Sequence, residues 1–263
     1  MNEYDILTKH YESHDEEGRL LSKHGSVEYI TTQKYIHECV EAVNAKCILE
    51  VGAGTGRYSV SLAKDGFDVT AVELVEHNLD ILRQKLDGSE MLTAIQGNAL
   101  DLSRFADNSF DMTLLLGPMY HLFTFEDKKK ALSEAVRVTK PGGFILVAYC
   151  MNEPTIINFG FRQGNLQYIL DNNMLLDEWH CKSDPKEIFE LYRTEDIAEL
   201  DATVNVTREK LIATDGATNY MTECIDEMDD FTFGKWVEYH FAICERQDLI
   251  GASHHTLDIL RKN

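Results

Sequence analysis

Apolar and polar positions follow two different periods along the chain, and the changes of period divide it into strand and helix segments. Largely apolar runs, interrupted by Glu50, Thr70, Thr93, Asp111 and Thr113, occupy residues 48–51, 69–72, 91–95, 110–116 and 144–149. Runs of that length suit parallel strands buried on both faces. Helical spacing separates them: Ile36, Val40 and Val43 before the first run, Tyr58, Val60 and Leu62 after it, then Leu79, Ile81, Leu82 and Leu86 up to Gly88. Ser26 offers an N-cap to the first of these helices, and Asp65-Gly66 predicts the end of the second. Thr124 with Asp127 three residues on predicts a helix starting near Phe125, closed by Lys140-Pro141-Gly142-Gly143. Strands at 210–214 and 256–261, with helix over 219–246, would complete the sheet, one of those two strands antiparallel. Strand and helix alternate as in an α/β fold with a largely parallel sheet.

The first apolar run breaks into Gly52-Ala53-Gly54-Thr55-Gly56 before helical spacing resumes. Glycines on alternate positions allow positive φ and let a ligand lie against main-chain N–H groups, so a nucleotide-like ligand fits this turn. A dinucleotide turn reads G-x-G-x-x-G/A. Here Gly56 comes one residue early and Arg57 stands where a small residue belongs, while Glu50 precedes the first glycine. The pattern E-x-G-x-G-x-G resembles motif I of the class I S-adenosylmethionine-dependent methyltransferases. The Pro141-Gly142-Gly143 break before the fifth strand resembles that family too, so the likeness covers roughly residues 47–150.

That resemblance implies a Rossmann-like, doubly wound, mostly parallel seven-stranded sheet with an antiparallel last strand and a helical lid insertion. It implies S-adenosyl-L-methionine as cofactor, bound by Glu50, Gly52, Ala53, Gly54, Gly56, Glu73, Leu74, Asn98, Ala99 and Leu116. Glu73 ends the second strand, 23 positions after Glu50 (73 minus 50), where a nucleotide fold sets an acid against the ribose hydroxyls. Asn98 stands where the family often has Asp, and it keeps an acceptor oxygen for the adenine amino group. Tyr120 and His121 follow the fourth strand, on a loop beside the transferable methyl. Histidine suits deprotonation of a hydroxyl or thiol acceptor, which makes His121 the first candidate base and Tyr120 its neighbour at the catalytic position.

Composition narrows the remaining choices. With 263 residues, one domain can hold the whole chain: an N-terminal arm and covering helix over 1–46, a cofactor core over 47–150, a lid or substrate insertion over 152–193, and the rest of the sheet over 194–263. The formal net charge of −20 disfavours nucleic acid as partner, because a phosphate backbone is held by clustered cations. The one basic run, Lys128-Lys129-Lys130, reads as a solvated helix face. No apolar stretch has membrane-spanning length and no secretory leader is legible, so a cytoplasmic enzyme is expected. Six scattered cysteines read as reduced thiols, with neither a disulfide framework nor a metal site. Oligomeric state is not encoded in any pattern.

Residues 1–25 read as a mobile arm that is either frayed or folded over the cofactor, with Tyr11 and Arg19 as candidate contacts. The aromatics of 152–193 either wall the substrate or pack on the sheet. His240, Cys244, Glu245, His254 and His255 form a second polar group without metal-site spacing, for which a structural or surface role is expected. The expected activity is methyl transfer to an O, N or S atom of a small molecule. Its alternatives are a non-catalytic module that binds the cofactor and, disfavoured by Gly56 and Arg57, a nicotinamide-dependent oxidoreductase.

Overall fold

The computed structural model describes the backbone of residues 3–13, 18 and 22–263, and in its first helix the side chains of residues 6–11. Two helices, α1 (Glu3–Ser13) and α2 (Lys23–Val43), precede the sheet. The parallel half alternates β1 (Cys47–Val51), α3 (Arg57–Lys64), β2 (Asp68–Glu73), α4 (Glu76–Gln84), β3 (Leu92–Gln96), β4 (Phe110–Leu115), α5 (Phe125–Val138) and β5 (Thr139–Cys150). Next come the short helices α6 (Asn152–Thr155) and α7 (Leu166–Asp171), then α8 (Thr194–Asp201) and β6 (Val206–Ala213). Helices α9 (Thr222–Asp226) and α10 (Asp230–Ile243) lead to β7 (His255–Lys262).

Among the described residues the strands form one seven-stranded sheet of order β3-β2-β1-β4-β5-β7-β6. Every pair from β3 to β5 is parallel, whereas β7 runs antiparallel to both β5 and β6. Each strand therefore buries alternate residues on opposite faces. Leu49 and Val51 of β1 pack with Ala131, Leu132 and Ala135 of α5 on one face. Ile48 packs on the other face with Ile36 and Val40 of α2 and Leu62 of α3. Two hydrophobic layers around one sheet fix the carboxyl ends of β1, β2 and β4 along a common edge, and the order reverses between β1 and β4 there.

Several expectations are corrected. The arm is partly helical, since α1 is an 11-residue helix in contact with α4 and with residues 185–187. Arg19 lies outside the described residues. Helix α2 starts four residues earlier than Ser26 predicts: Ser22 is the N-cap, accepting from Gly25 N at 3.1 Å, while Ser26 Oγ donates to the Lys23 carbonyl. Helix α5 begins at Phe125 as predicted, capped by Thr124. It ends before Pro141, however, because β5 runs through the Pro-Gly-Gly segment with a register shift opposite Phe110 and Met112. Gly142 takes φ +77, and a Cβ on Gly143 would sit 2.4 Å from the Asp111 carbonyl, so only glycine lets β5 pass so close to β4. Lys128 is not a solvated cation: it pairs with buried Glu190 beneath the Tyr192 ring.

Candidate functional site

The glycine turn after β1 is built by close approach. Gly52 takes φ +74, and a Cβ there would meet Pro118 Cδ at 2.6 Å; Gly56 takes φ +83, with Leu82 Cγ 2.5 Å from the equivalent point. Gly54, at φ +54, has nothing within 4 Å of that point and opens onto a cavity. The main-chain N–H groups of the turn are mostly used within the protein. Gly52 and Ala53 donate to the Val72 carbonyl at 2.8 and 3.1 Å, Gly56 donates to Ala53, and Gly54 donates to Glu73 Oε2 at 2.7 Å. The turn thus supplies shape and room more than free donors.

The cavity beyond it measures about 280 Å³ and lies past the carboxyl ends of β1, β2, β3 and β4. All the residues expected to hold a cofactor border it except Gly56, which packs behind on Leu82. Glu73 is buried, its second oxygen accepting from Val75 N at 2.8 Å; burial raises its carboxyl against those hydrogen bonds. Glu50 is buried deeper, and desolvation pushes its carboxyl up to about 8 although Ser59 Oγ donates to it. Asn98 is exposed at the rim, and its Oδ1 accepts from Leu100 N at 2.9 Å. That bond orders the turn holding Ala99 and uses one of the two lone pairs of the oxygen that the sequence reading assigned to the adenine amino group.

Tyr120 and His121 sit on a 3-10 turn, Pro118–His121, and not on an open loop. Tyr120 donates to the Leu116 carbonyl at 2.7 Å. His121 has both ring nitrogens engaged: Nδ1 faces the Ile188 carbonyl at 2.9 Å and Nε2 faces the Tyr11 hydroxyl at 2.7 Å. Burial lowers His121 to about 4, so the ring is neutral at pH 7, with Nδ1–H donating to Ile188 and Nε2 accepting from Tyr11. Of the two N-terminal contacts the sequence offered, Tyr11 thus reaches the site.

A second cavity of about 560 Å³ adjoins the first, and Tyr11 and Tyr120 line both. Its apolar wall comes largely from the insertion, including Ile156, Phe159, Ile169 and Phe189. The aromatics there divide between the two expectations. Phe159 and Phe189 face the cavity, Tyr192 packs on Tyr149 in the core at 4.7 Å between centroids, and Phe161 stacks on Trp179 at the surface.

The opposite wall carries His24, Glu28, Asp215, His254 and His255. His255 Nδ1 lies 2.7 Å from Asp215 Oδ2 and 3.3 Å from Glu28 Oε2. Burial alone would lower His255, but the Glu28 and Asp215 carboxylates overcome it and hold the ring protonated; Asp215 in turn is held low against its own burial. The polar group near the C-terminus is therefore not one cluster. His240 and Cys244 are buried under α10, and Glu245 binds the Tyr35 hydroxyl at 2.8 Å. Glu28 and Asp215 were missed, because nothing in their local sequence distinguishes them from surface acids.

An open sheet that reverses at the β1/β4 edge, with a glycine-shaped cavity and an acid at the tip of β2, is the Rossmann-like arrangement, whose ligands lie beyond the carboxyl ends of the strands. Comparison with known proteins makes this specific. Residues 49–147 match the family model described as a methyltransferase domain. Over 139 residues the chain is 36% identical to the demethylmenaquinone methyltransferase of Renibacterium salmoninarum, covering 52% of this chain and 54% of that protein. Over 132 residues it is 30% identical to the glycine/sarcosine N-methyltransferase of Aphanothece halophytica, covering 49% of each. The chain thus spans about half the length of the curated relatives it matches. A Thermotoga maritima structure described as a SAM-dependent methyltransferase, possible histamine N-methyltransferase, shares the fold. Its TM-score is 0.60 over 99% of this chain and 100% of that one, at 18% identity. Residues 49–147 are thus similar to methyltransferase domains, and the chain as a whole shares the fold of that structure. Among the described residues no helix is long and apolar enough to cross a membrane.

Proposed function

We propose that this protein moves a methyl group from S-adenosyl-L-methionine to an O, N or S atom of a small molecule, in the cytoplasm and without nucleic acid as partner. One observation carries the reading: a glycine-shaped cavity with Glu73 at its edge meets a larger, mostly apolar cavity at Tyr11 and Tyr120. Donor and acceptor would each have a chamber, with the reacting atoms at the shared wall. Methyl transfer from a sulfonium brings its own electrophile, so the protein mainly aligns the partners and excludes water.

The residues fit that task. Gly54 leaves room beside the turn, Glu73 would grip the ribose hydroxyls, Asn98 and Ala99 would frame the adenine, and Leu74 and Leu116 would line the apolar sides. Glu50, Gly52 and Ala53 would bound the amino-acid end, with Gly56 setting the turn behind them. At the catalytic wall Tyr120 is fixed by its bond to Leu116, and neutral His121 would accept from Tyr11 and so hold that phenol at the aperture.

Calorimetry with S-adenosylhomocysteine tests the donor chamber. Glu73→Ala is expected to weaken binding by about 10- to 100-fold, the worth of one or two charge-assisted hydrogen bonds. Unchanged affinity would refute the ribose assignment. Incubation of cell metabolites with isotopically labelled methyl donor tests transfer. Tight binding with no labelled product would leave a cofactor-binding module instead.

A further inference from the structure

We propose that His254, His255 and Asp215, with Glu28 beside them, form a binding site for a divalent transition-metal cation in the wall of the acceptor chamber. The ligand-capable atoms of the first three lie within 4.8 Å of one another. His255 Nδ1 is 2.7 Å from an Asp215 oxygen and 3.3 Å from a Glu28 oxygen. A tetrahedral cation with bonds of about 2.1 Å holds its ligand atoms about 3.4 Å apart. Against that spacing the 2.7 Å pair needs to open by about 0.7 Å and a pair at the 4.8 Å limit to close by about 1.4 Å.

The supporting contacts are those a metal site uses. A ligating carboxylate is ordinarily oriented by hydrogen bonds of its own. Asp215 accepts from Ser253 Oγ at 2.7 Å and from the His255 main-chain N–H at 3.1 Å on one oxygen, and from Asn219 Nδ2 at 2.5 Å on the other. The backbone adds rigidity: β6 ends at Ala213 and β7 begins at His255, with Ala213 paired to Thr256, so Asp215 just after β6 and His254 and His255 at the start of β7 sit at the adjoining ends of antiparallel strands. Cys150, a buried free thiol, is the register partner of His255 on β5 and lines the same cavity.

Two imidazoles with carboxylates select zinc, cobalt, iron or manganese over magnesium or calcium, which prefer oxygen alone. Bound there, such a cation would act as a Lewis acid toward an acceptor heteroatom. The heteroatom's proton would pass to solvent, and the methyl carbon would exchange its bond to sulfur for a bond to that heteroatom, the electron pair leaving on the neutral thioether. This use of the site rests on the methyl-transfer reading, whereas the cation site itself does not.

The test uses the tag-free full chain, stripped with chelator and dialysed against Zn²⁺ or Co²⁺. One equivalent of either is expected, Co²⁺ with visible ligand-field bands, displaced by Zn²⁺ and not by excess Mg²⁺. His254→Ala and Glu28→Gln are expected to weaken binding at least about tenfold, as loss of metal-site contacts does. Calorimetry of S-adenosylhomocysteine on the same variants, together with their melting curves, shows that the fold and the donor chamber are intact. Absence of stoichiometric binding in the wild type, or equal affinity in a folded His254→Ala variant, overturns the proposal. In either case the cluster is an ion-paired network only. Metal binding without homocysteine-nucleoside binding would refute the donor assignment and leave the cation site standing.

Discussion

A carboxyl buried beside a cofactor chamber must be neutral or paired, and Glu50 shows which condition applies. Desolvation raises it to about 8, so it carries a proton at pH 7. Its folded value lies above its ordinary 4.5, so the unfolded chain releases that proton first as pH rises, and stability is eroded between about pH 4.5 and 8. Glu50→Gln has no such proton. Its stability relative to wild type is expected to rise by up to about 3 kcal/mol from pH 5 to 8, read by denaturant unfolding. Parallel pH curves for the two proteins would show that Glu50 is ionised in the fold. His121 works on the other side of neutrality. Held at about 4, it stays neutral while an unfolded histidine gains a proton below its ordinary 6.5. Stability conferred by the neutral ring is thus complete above about pH 6.5 and lost as pH falls toward 4, by up to about 3 kcal/mol. His121→Ala is expected to lack this acid limb and to turn over slowly with cofactor affinity kept, since its partners are Tyr11 and Ile188. Unchanged turnover would make the ring a packing element alone.

At the scale of elements, the last two strands depend on one cation. Arg208 on β6 forks onto Asp258 of β7 at 2.9 Å by both of its bonds, and also lies 2.6 Å from Asp201 at the end of α8. Burial pushes both carboxyls up, and the guanidinium opposes that shift in each. Arg208→Ala would strand two carboxyls in the interior, at an expected cost of about 3–5 kcal/mol in denaturant unfolding. A loss below about 1 kcal/mol would mean that both acids take up protons without strain. None of this is visible in the sequence, where Arg208 and Asp258 are 50 positions apart. The parallel half was legible for the opposite reason. Strands buried on both faces are mostly apolar, and positive-φ turns admit little but glycine, so residues 48–56 announce their own conformation. Ser22 and Ser26 show where local signals stop: both carry a capping hydroxyl, and only packing decides which one starts α2. Pro141-Gly142-Gly143 reads as a break, yet the same glycines let β5 continue past Asp111. In the site, Glu73 and the turn followed from spacing, while Asp215 and Glu28 acquire meaning only when β6, β7 and α2 converge.

For the whole molecule the question is how a donor enters a cavity that three separate parts of the chain enclose. Ile6, Leu7 and Tyr11 of α1 border it from above, Pro185 and Ile188 from the side, and the sheet edge from below. Among the described residues helix α1 meets α4 and residues 185–187, and its Tyr11 hydroxyl is tied to His121. A short helix outside the sheet opens at smaller free-energy cost than the sheet itself, whose central strands open only on global unfolding. On the proposed function, entry and release of the donor are expected to use movement of α1 and not of the sheet. A ligand that contacts the closed arrangement alone shifts the balance toward it. S-adenosylhomocysteine is accordingly expected to slow amide hydrogen exchange across residues 3–13 and 185–189 at least about tenfold, leaving β1 and β4 unchanged because they are already protected. Tyr11→Phe, which loses the bond to His121 and keeps the ring, should show a smaller slowing and faster ligand release in stopped-flow displacement. Equal exchange with and without ligand over residues 3–13 would mean that α1 is no door, and the cofactor would have to reach its chamber through the acceptor side, past Tyr120.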